Sequence, residues 1–286
     1  MLYYDCNSIE PLELSMSTTR PVALVTGAYS GLGQFATQGL VKAGFDVVGT
    51  SRSTDGLSRR DGVTFFDLDV TSDDSVTLLV KRVLAKFGRI DVLVNNAGMG
   101  ASGATEENSI AQAQRLFDIN VFGVIRMTKA VLPHMRAQKS GRIINISSVF
   151  GFMPAPFMAA YSATKHAIEG YSESVDHEVR EHGVRVLLIE PGGTKTGFDD
   201  NTTPPDSPLE VYARQRDIAS QVVAEEVNNG DDPATVAAAI VAAATDPKPK
   251  LRYPASPKAR RLSTMRRLVP ARAFDKSLRK FNKFAV

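Results

Sequence analysis

Apolar residues recur in two rhythms along this chain. Short continuous runs, the pattern of strands buried on both faces, occupy Pro21–Thr26, Phe45–Arg52, Val63–Asp67, Ile90–Gly98, Arg142–Ile146 and Val184–Ile189. Between them lie stretches of helical spacing. One follows Gly33 through Leu40, Val41 and Ala43, and a second runs from a Thr71 or Ser72 cap to about Phe87. A third spans about Ala111 to Met135, and a fourth carries Tyr161. This alternation predicts an α/β fold: one doubly wound parallel sheet with helices on both faces, in a single domain. Leu251–Pro254 reads as a short final strand, followed by helical segments around Leu262–Val269 and Phe274–Phe281. The expected divisions are a loose leader over 1–20, the α/β domain over 21–254 and a basic helical extension over 255–286. Met1 and Met16 are both candidate starts.

Composition adds limits. The 286 residues are 43% hydrophobic and 23% charged, ordinary for a soluble protein with a proper core. The single cysteine, Cys6, rules out an internal disulfide and fits a reducing compartment. No apolar run reaches the roughly 18 residues of a spanning helix, so a cytoplasmic location is expected. The net charge of +3 is uneven. Lys and Arg crowd Pro247–Val286 against one acid, Asp275, which leaves the preceding body net acidic.

The first strand runs into Gly27-Ala-Tyr29-Ser30-Gly31-Leu32-Gly33 and then a helix. Strand, glycine turn and helix are the parts of a Rossmann-type dinucleotide site, with the pyrophosphate on the helix N-terminus. The second strand ends at Ser51-Arg52, where NAD sites commonly hold an acid for the ribose 2′-hydroxyl. A guanidinium there suits a 2′-phosphate, so NADP(H) is expected ahead of NAD(H). The fourth strand ends in Asn95-Asn96-Ala97-Gly98, small polar residues at the ligand side of such a sheet.

Tyr161 and Lys165 share one helix face. A phenol ionises near pH 10, and lowering that by about 3 units takes about 4 kcal/mol of preference for the phenolate. A neighbouring ammonium is one source. The four histidines, His134, His166, His177 and His182, share no metal-ligand pattern, and no metal is expected.

Taken together, these segments resemble the short-chain dehydrogenase/reductase family from about Val22 to Thr196. Thr26-Gly27-x-x-x-Gly31-x-Gly33 matches its cofactor turn, Asp69 its adenine-contacting acid, and Asn95–Gly98 its strand-four motif. Asn120, Ser148, Tyr161 and Lys165 match its catalytic set, and Pro191-Gly192 with Thr196 the segment flanking the nicotinamide. Val70 and Thr194, beside two of these motifs, join the expected cofactor contacts. The basic ending resembles the hydroxysteroid- and retinol-type branch, whose C-terminal segment packs beside the substrate opening. Tyr29 and Gly193 depart from common family choices, and Ser30 replaces a basic residue that some NADP-dependent members carry.

The resemblance implies hydride exchange between NADP(H) and a carbonyl or secondary alcohol, and a homodimer or homotetramer. In it Ser148 bonds the substrate oxygen, Tyr161 moves the proton, and Lys165 lowers the phenol's pKa and binds the nicotinamide ribose. Asn120 positions a water behind Lys165. Phe150, Phe152, Met153, Phe157 and Met158 make one expected pocket wall apolar, which suits a hydrophobic, steroid-, retinoid- or ketone-like substrate. The polar stretch Asp199–Pro208 is expected to act as a ligand-ordered lid. The basic tail is read as a solvated face over a packed one, in preference to a peripheral membrane contact. Nucleic-acid binding is not expected. The competing class is a non-catalytic NADP-binding regulatory protein on the same scaffold.

Overall fold

A computed structural model describes residues 19–198 and 201–284. The expected leader, except for its last two residues, lies outside the described residues, as does Met16. The sheet is built from β1 (Val22–Val25), β2 (Asp46–Ser51), β4 (Val63–Asp67), β5 (Val92–Asn95), β7 (Gly141–Ile146), β8 (Val184–Glu190) and β10 (Arg252–Pro254). All seven run parallel, in the order β10-β8-β7-β5-β1-β2-β4. A two-residue strand, β3 (Arg59–Arg60), adds an antiparallel edge on β4. Strand order reverses between β1 and β5, and an open α/β sheet forms its ligand crevice at such a switch point.

The apolar runs are continuous because both faces of the sheet are covered. Along β1, Ala23 and Val25 join one core with α1 (Gly31–Lys42) and α7 (Pro233–Thr245). Val22 and Leu24 join the opposite core with α2 (Asp73–Phe87), α4 (Gly123–Gln138) and α5 (Ala159–Val179). Each fully buried Leu, Ile or Val contributes roughly 1.5–3 kcal/mol. Ser72 caps α2 as expected, its hydroxyl accepting from Ser75 N.

One expected helix is three elements. The Ala111–Met135 pattern resolves into α3 (Ile110–Phe117), a π-helical turn over Asp118–Phe122, and α4. Asn120 sits inside the π turn, whose wider backbone re-aims a side chain without breaking the helix path.

The helix bearing Tyr161 and Lys165 is anchored at its far end by Asp176, which is fully buried. Its Oδ1 accepts from Val186 N at 2.9 Å and Arg185 Nε at 2.8 Å, pinning α5 to β8, and Arg180 pairs with the other oxygen. Burial would raise this carboxyl's pKa, but the bonds from Arg185, Val186 and Arg180 hold it below the usual range. Replacing Asp176 by Ala is expected to lower unfolding free energy by about 3 kcal/mol, read from urea titrations at neutral pH. The difference should shrink in acid, because the depressed carboxyl stabilises the fold only while ionised. An unchanged urea midpoint would remove Asp176 as the anchor.

Candidate active site

At the carboxyl ends of the strands, one cavity of about 1370 Å³ gathers most of the residues singled out from sequence. The cofactor end is shaped by the β1–α1 turn. Gly27 and Gly31 adopt positive φ (64° and 55°), a conformation that side chains resist. Ser30 at the α1 N-cap makes no side-chain cap bond, so the first N–H groups of α1 keep their donors for a ligand. Tyr29, Leu32, Arg52, Asp69 and Val70 line the same end. Asn96, Ala97, Gly98, Pro191, Gly192, Thr194 and Thr196 continue the wall toward Tyr161. Such a cradle fits a dinucleotide.

Four expected residues do not line the cavity: Gly33, Asn120 and, from the apolar wall, Phe152, packed into a neighbouring cluster, and Phe157, whose ring faces Tyr212 and Phe284. Gly33 lies beneath it. A Cβ there would collide with the Gly27 carbonyl and come within 2.6 Å of Asn96 Nδ2, so this glycine serves close packing. Asn96 Nδ2 in turn donates to the Thr26 and Gly27 carbonyls at 2.9 Å each, tying β5 to the glycine turn. Asn120 also sits below the surface. Its Oδ1 accepts from Met99 N, and its Nδ2 donates to Met99 O and Thr164 Oγ1, at 2.9, 2.9 and 3.2 Å. The amide clamps the loop after β5 to α5.

Tyr161 lies at the centre, with the rings of Phe150 and Phe198 at 6.4 and 5.8 Å. Burial in this apolar setting pushes its phenol above the ordinary range, and the Ser148 hydroxyl bond pulls it partly back. That differs from the lowering expected from helix spacing. The Lys165 ammonium instead donates to the Ile146 carbonyl at 2.9 Å and sits 5.6 Å from the centre of the Tyr161 ring. Burial pushes Lys165 down to about 8, with the Glu169 carboxylate opposing. The site therefore disfavours charge on either group.

The family model for short chain dehydrogenases matches residues 21–206. The chain belongs to that family. It is 38% identical to a 3-ketodihydrosphingosine reductase of Bacteroides thetaiotaomicron over 243 residues, 82% of this chain and 88% of that protein. A short-chain oxidoreductase from a metagenome, solved in complex with NADP, is 29% identical with a TM-score of 0.65, over 82% of this chain and 96% of that one. A Burkholderia phymatum family member in complex with NAD is 26% identical with a TM-score of 0.76, over 91% and 95%. These relatives support a nicotinamide cofactor of either kind.

Several features escaped sequence reasoning. Arg60 of β3 donates to the Tyr29 carbonyl at 2.9 Å and stacks 4.9 Å from its ring centre, bracing the glycine turn. Asp199 and Asp200 of the lid candidate lie outside the described residues, and the part that follows is strapped down: β9 (Thr202–Thr203) pairs with β6 (Gly100–Ala101). Buried Glu107 accepts from Leu209 N at 2.8 Å and pairs with Arg216. The basic C-terminal extension, by contrast, was expected as helices beside the substrate opening; it forms α8 (Pro257–Leu268) and α9 (Ala271–Phe281), and Leu262, Met265, Phe274, Leu278 and Phe281 roof the far end of the cavity.

Gly33→Ala is expected to cost about 1–3 kcal/mol through overpacking and to weaken nicotinamide dinucleotide binding together with stability. Paired thermal melts and fluorescence titrations check this; wild-type values in both would show that the turn can shift.

Proposed function

We propose that this chain is an NADP(H)-dependent oxidoreductase of the carbonyl reductase or alcohol dehydrogenase type, acting on a hydrophobic ketone or the matching secondary alcohol. The observation that carries it is Tyr161, buried and hydrogen-bonded to Ser148, one helical turn from Lys165 and open to an apolar chamber. The relative named a 3-ketodihydrosphingosine reductase supports a keto substrate. A non-catalytic regulatory role leaves the complete Ser148, Tyr161 and Lys165 set without a use.

Bound in the cradle, the nicotinamide would supply or accept the hydride. The chain's own groups would do the rest. Backbone N–H groups at the start of α1 would hold the pyrophosphate, and Asp69 would face the adenine. Arg52, beside the uncharged Ser51, would meet the 2′-phosphate. Ser148 would donate to the carbonyl oxygen of the substrate. A phenol kept neutral by burial is suited to give its proton to that oxygen as it becomes an alkoxide. Lys165 would stabilise the phenolate left behind, while Asn120 holds the surrounding backbone still. In the oxidative direction the phenolate would take the alcohol proton. Phe150, Met153 and the roof of α8 and α9 would exclude water and receive the apolar part of the substrate.

Tyr161→Phe is expected to reduce turnover by at least about 10²-fold with NADPH binding retained; near-normal activity would remove Tyr161 from the mechanism. Arg52→Asp should shift the ratio of NADPH to NADH efficiency toward NADH, and an unchanged ratio would place phosphate recognition elsewhere. Lys165 loses its charge as pH rises through about 8. Carbonyl reduction should therefore fall above that pH, as the phenolate loses its counter-charge. Reduction rates flat to pH 10 would contradict this assignment.

A further inference from the structure

Directly behind Lys165 lies a group of buried acids that the proposed reaction leaves unused. Glu169 follows Lys165 by one turn of α5 and is 8% exposed. Glu190 ends β8, next to the Pro191–Gly192 turn, and is 1% exposed. Arg252 of β10 reaches all the local acids. Its Nε lies 3.0 Å from Glu169 Oε2 and 3.5 Å from Glu190 Oε1, and its Nη2 is 2.9 Å from the half-exposed Glu173.

Arg252 faces all three carboxyls, and two of them are buried. Glu169 Oε1 and Glu190 Oε2 are both buried and have no hydrogen-bond partner among the described residues. The Ser147 hydroxyl and Glu169 Oε1 both border the space that a Cβ on Gly151 would fill, and neither has a hydrogen-bond partner among the described residues. Ser147 directly follows Ile146, whose carbonyl holds the Lys165 ammonium. A second buried acid is costly, and docking β10 does not require it, because β10 already pairs with β8 through the backbone.

We propose that Glu169 and Glu190 are positioning residues: a buried carboxyl pair under the Arg252 clamp in which Glu190 carries the proton and Glu169 keeps its negative charge behind Lys165, holding the ammonium charged toward Tyr161. This rests on the proton-transfer role given to Tyr161 and Lys165. The groups facing the pair are Lys165 and Glu173 from α5, Arg252 from β10 and Arg267 from α8, with the neutral Ser147 at the end of β7. His177 faces Glu173. Burial and then the Glu169 charge push Glu190 up to about 7, so the pair retains a proton near neutrality. Burial also raises Glu169, with Ser147 and Arg252 opposing. The two acids act differently on Lys165. Removing the Glu169 charge takes away what supports the Lys165 ammonium, so Lys165 discharges at lower pH. Removing Glu190 relieves a like charge and leaves Glu169 ionised beside Arg252.

The test uses the full chain and its Glu169→Gln and Glu190→Gln variants. NADPH-dependent carbonyl reduction is followed from pH 5.5 to 10, and the infrared band of protonated buried carboxyl is recorded at pH 6. For Glu169→Gln the alkaline limb of kcat should move down by about one pH unit, giving about 10-fold less activity at pH 8.5 and about wild-type activity at pH 6. For Glu190→Gln the alkaline limb should stay and the infrared band should disappear. A Glu169→Gln loss equal at every pH, or a band unchanged in Glu190→Gln, would overturn the proposal. The infrared arm needs no turnover. A wild-type chain that reduces no carbonyl would sink the functional reading, while the band still decides whether Glu190 carries the proton.

Discussion

Desolvation beneath the cavity is the constraint on which the site depends. A phenol and an ammonium occupy one buried face of a single helix, and low polarity opposes charge on both. Relief has to come from other parts of the chain. Ser148 and the Ile146 carbonyl arrive at the end of β7, and Glu169 stands one turn along the same helix. The sheet therefore does more than carry the residues. It delivers the hydrogen bonds that make a buried Tyr–Lys pair tolerable, and Asp176 holds α5 in register with β8 so that those bonds meet.

Much of the fold was legible because burial on both faces of a parallel sheet leaves an unbroken apolar signature. Val63–Asp67 and the Ser72 cap appear where the residue pattern places them. What escaped has physical reasons. β3, β6 and β9 are two residues each, too short to display a period. The π turn at Asn120 changes the hydrogen-bond ladder while leaving a run of apolar positions that still reads as one helix. Ala-rich α7 packs closely on α1 through Gly39 and Val241, and small residues leave little amphipathic contrast to read.

The site shows the same division between local and assembled information. The glycine turn, Asn96–Gly98 and the Tyr161–Lys165 face are local patterns, and the structure gathers them around one cavity. Whether a residue touches that cavity or supports it from below is not local. Gly33 and Asn120 belong to the same motifs as their neighbours, yet both work from beneath. The cluster of Glu169, Glu190 and Arg252 is assembled across 83 residues of sequence. No spacing rule would join them.

The roof over the apolar chamber comes from α8 and α9, and the sheet edge that seats it, β10, pairs with a strand made much earlier. Synthesis proceeds from the N-terminus at roughly 5–20 residues per second. For some seconds, then, a nascent chain holds β8 without its outer neighbour. A nascent chain that had formed β8 but not yet α8 and α9 would leave Phe150 and Met153 without the cover of Phe274 and Leu278. In such a chain the wall of the chamber would be an adhesive surface, and docking of α8 and α9 would relieve that exposure as well as close the chamber.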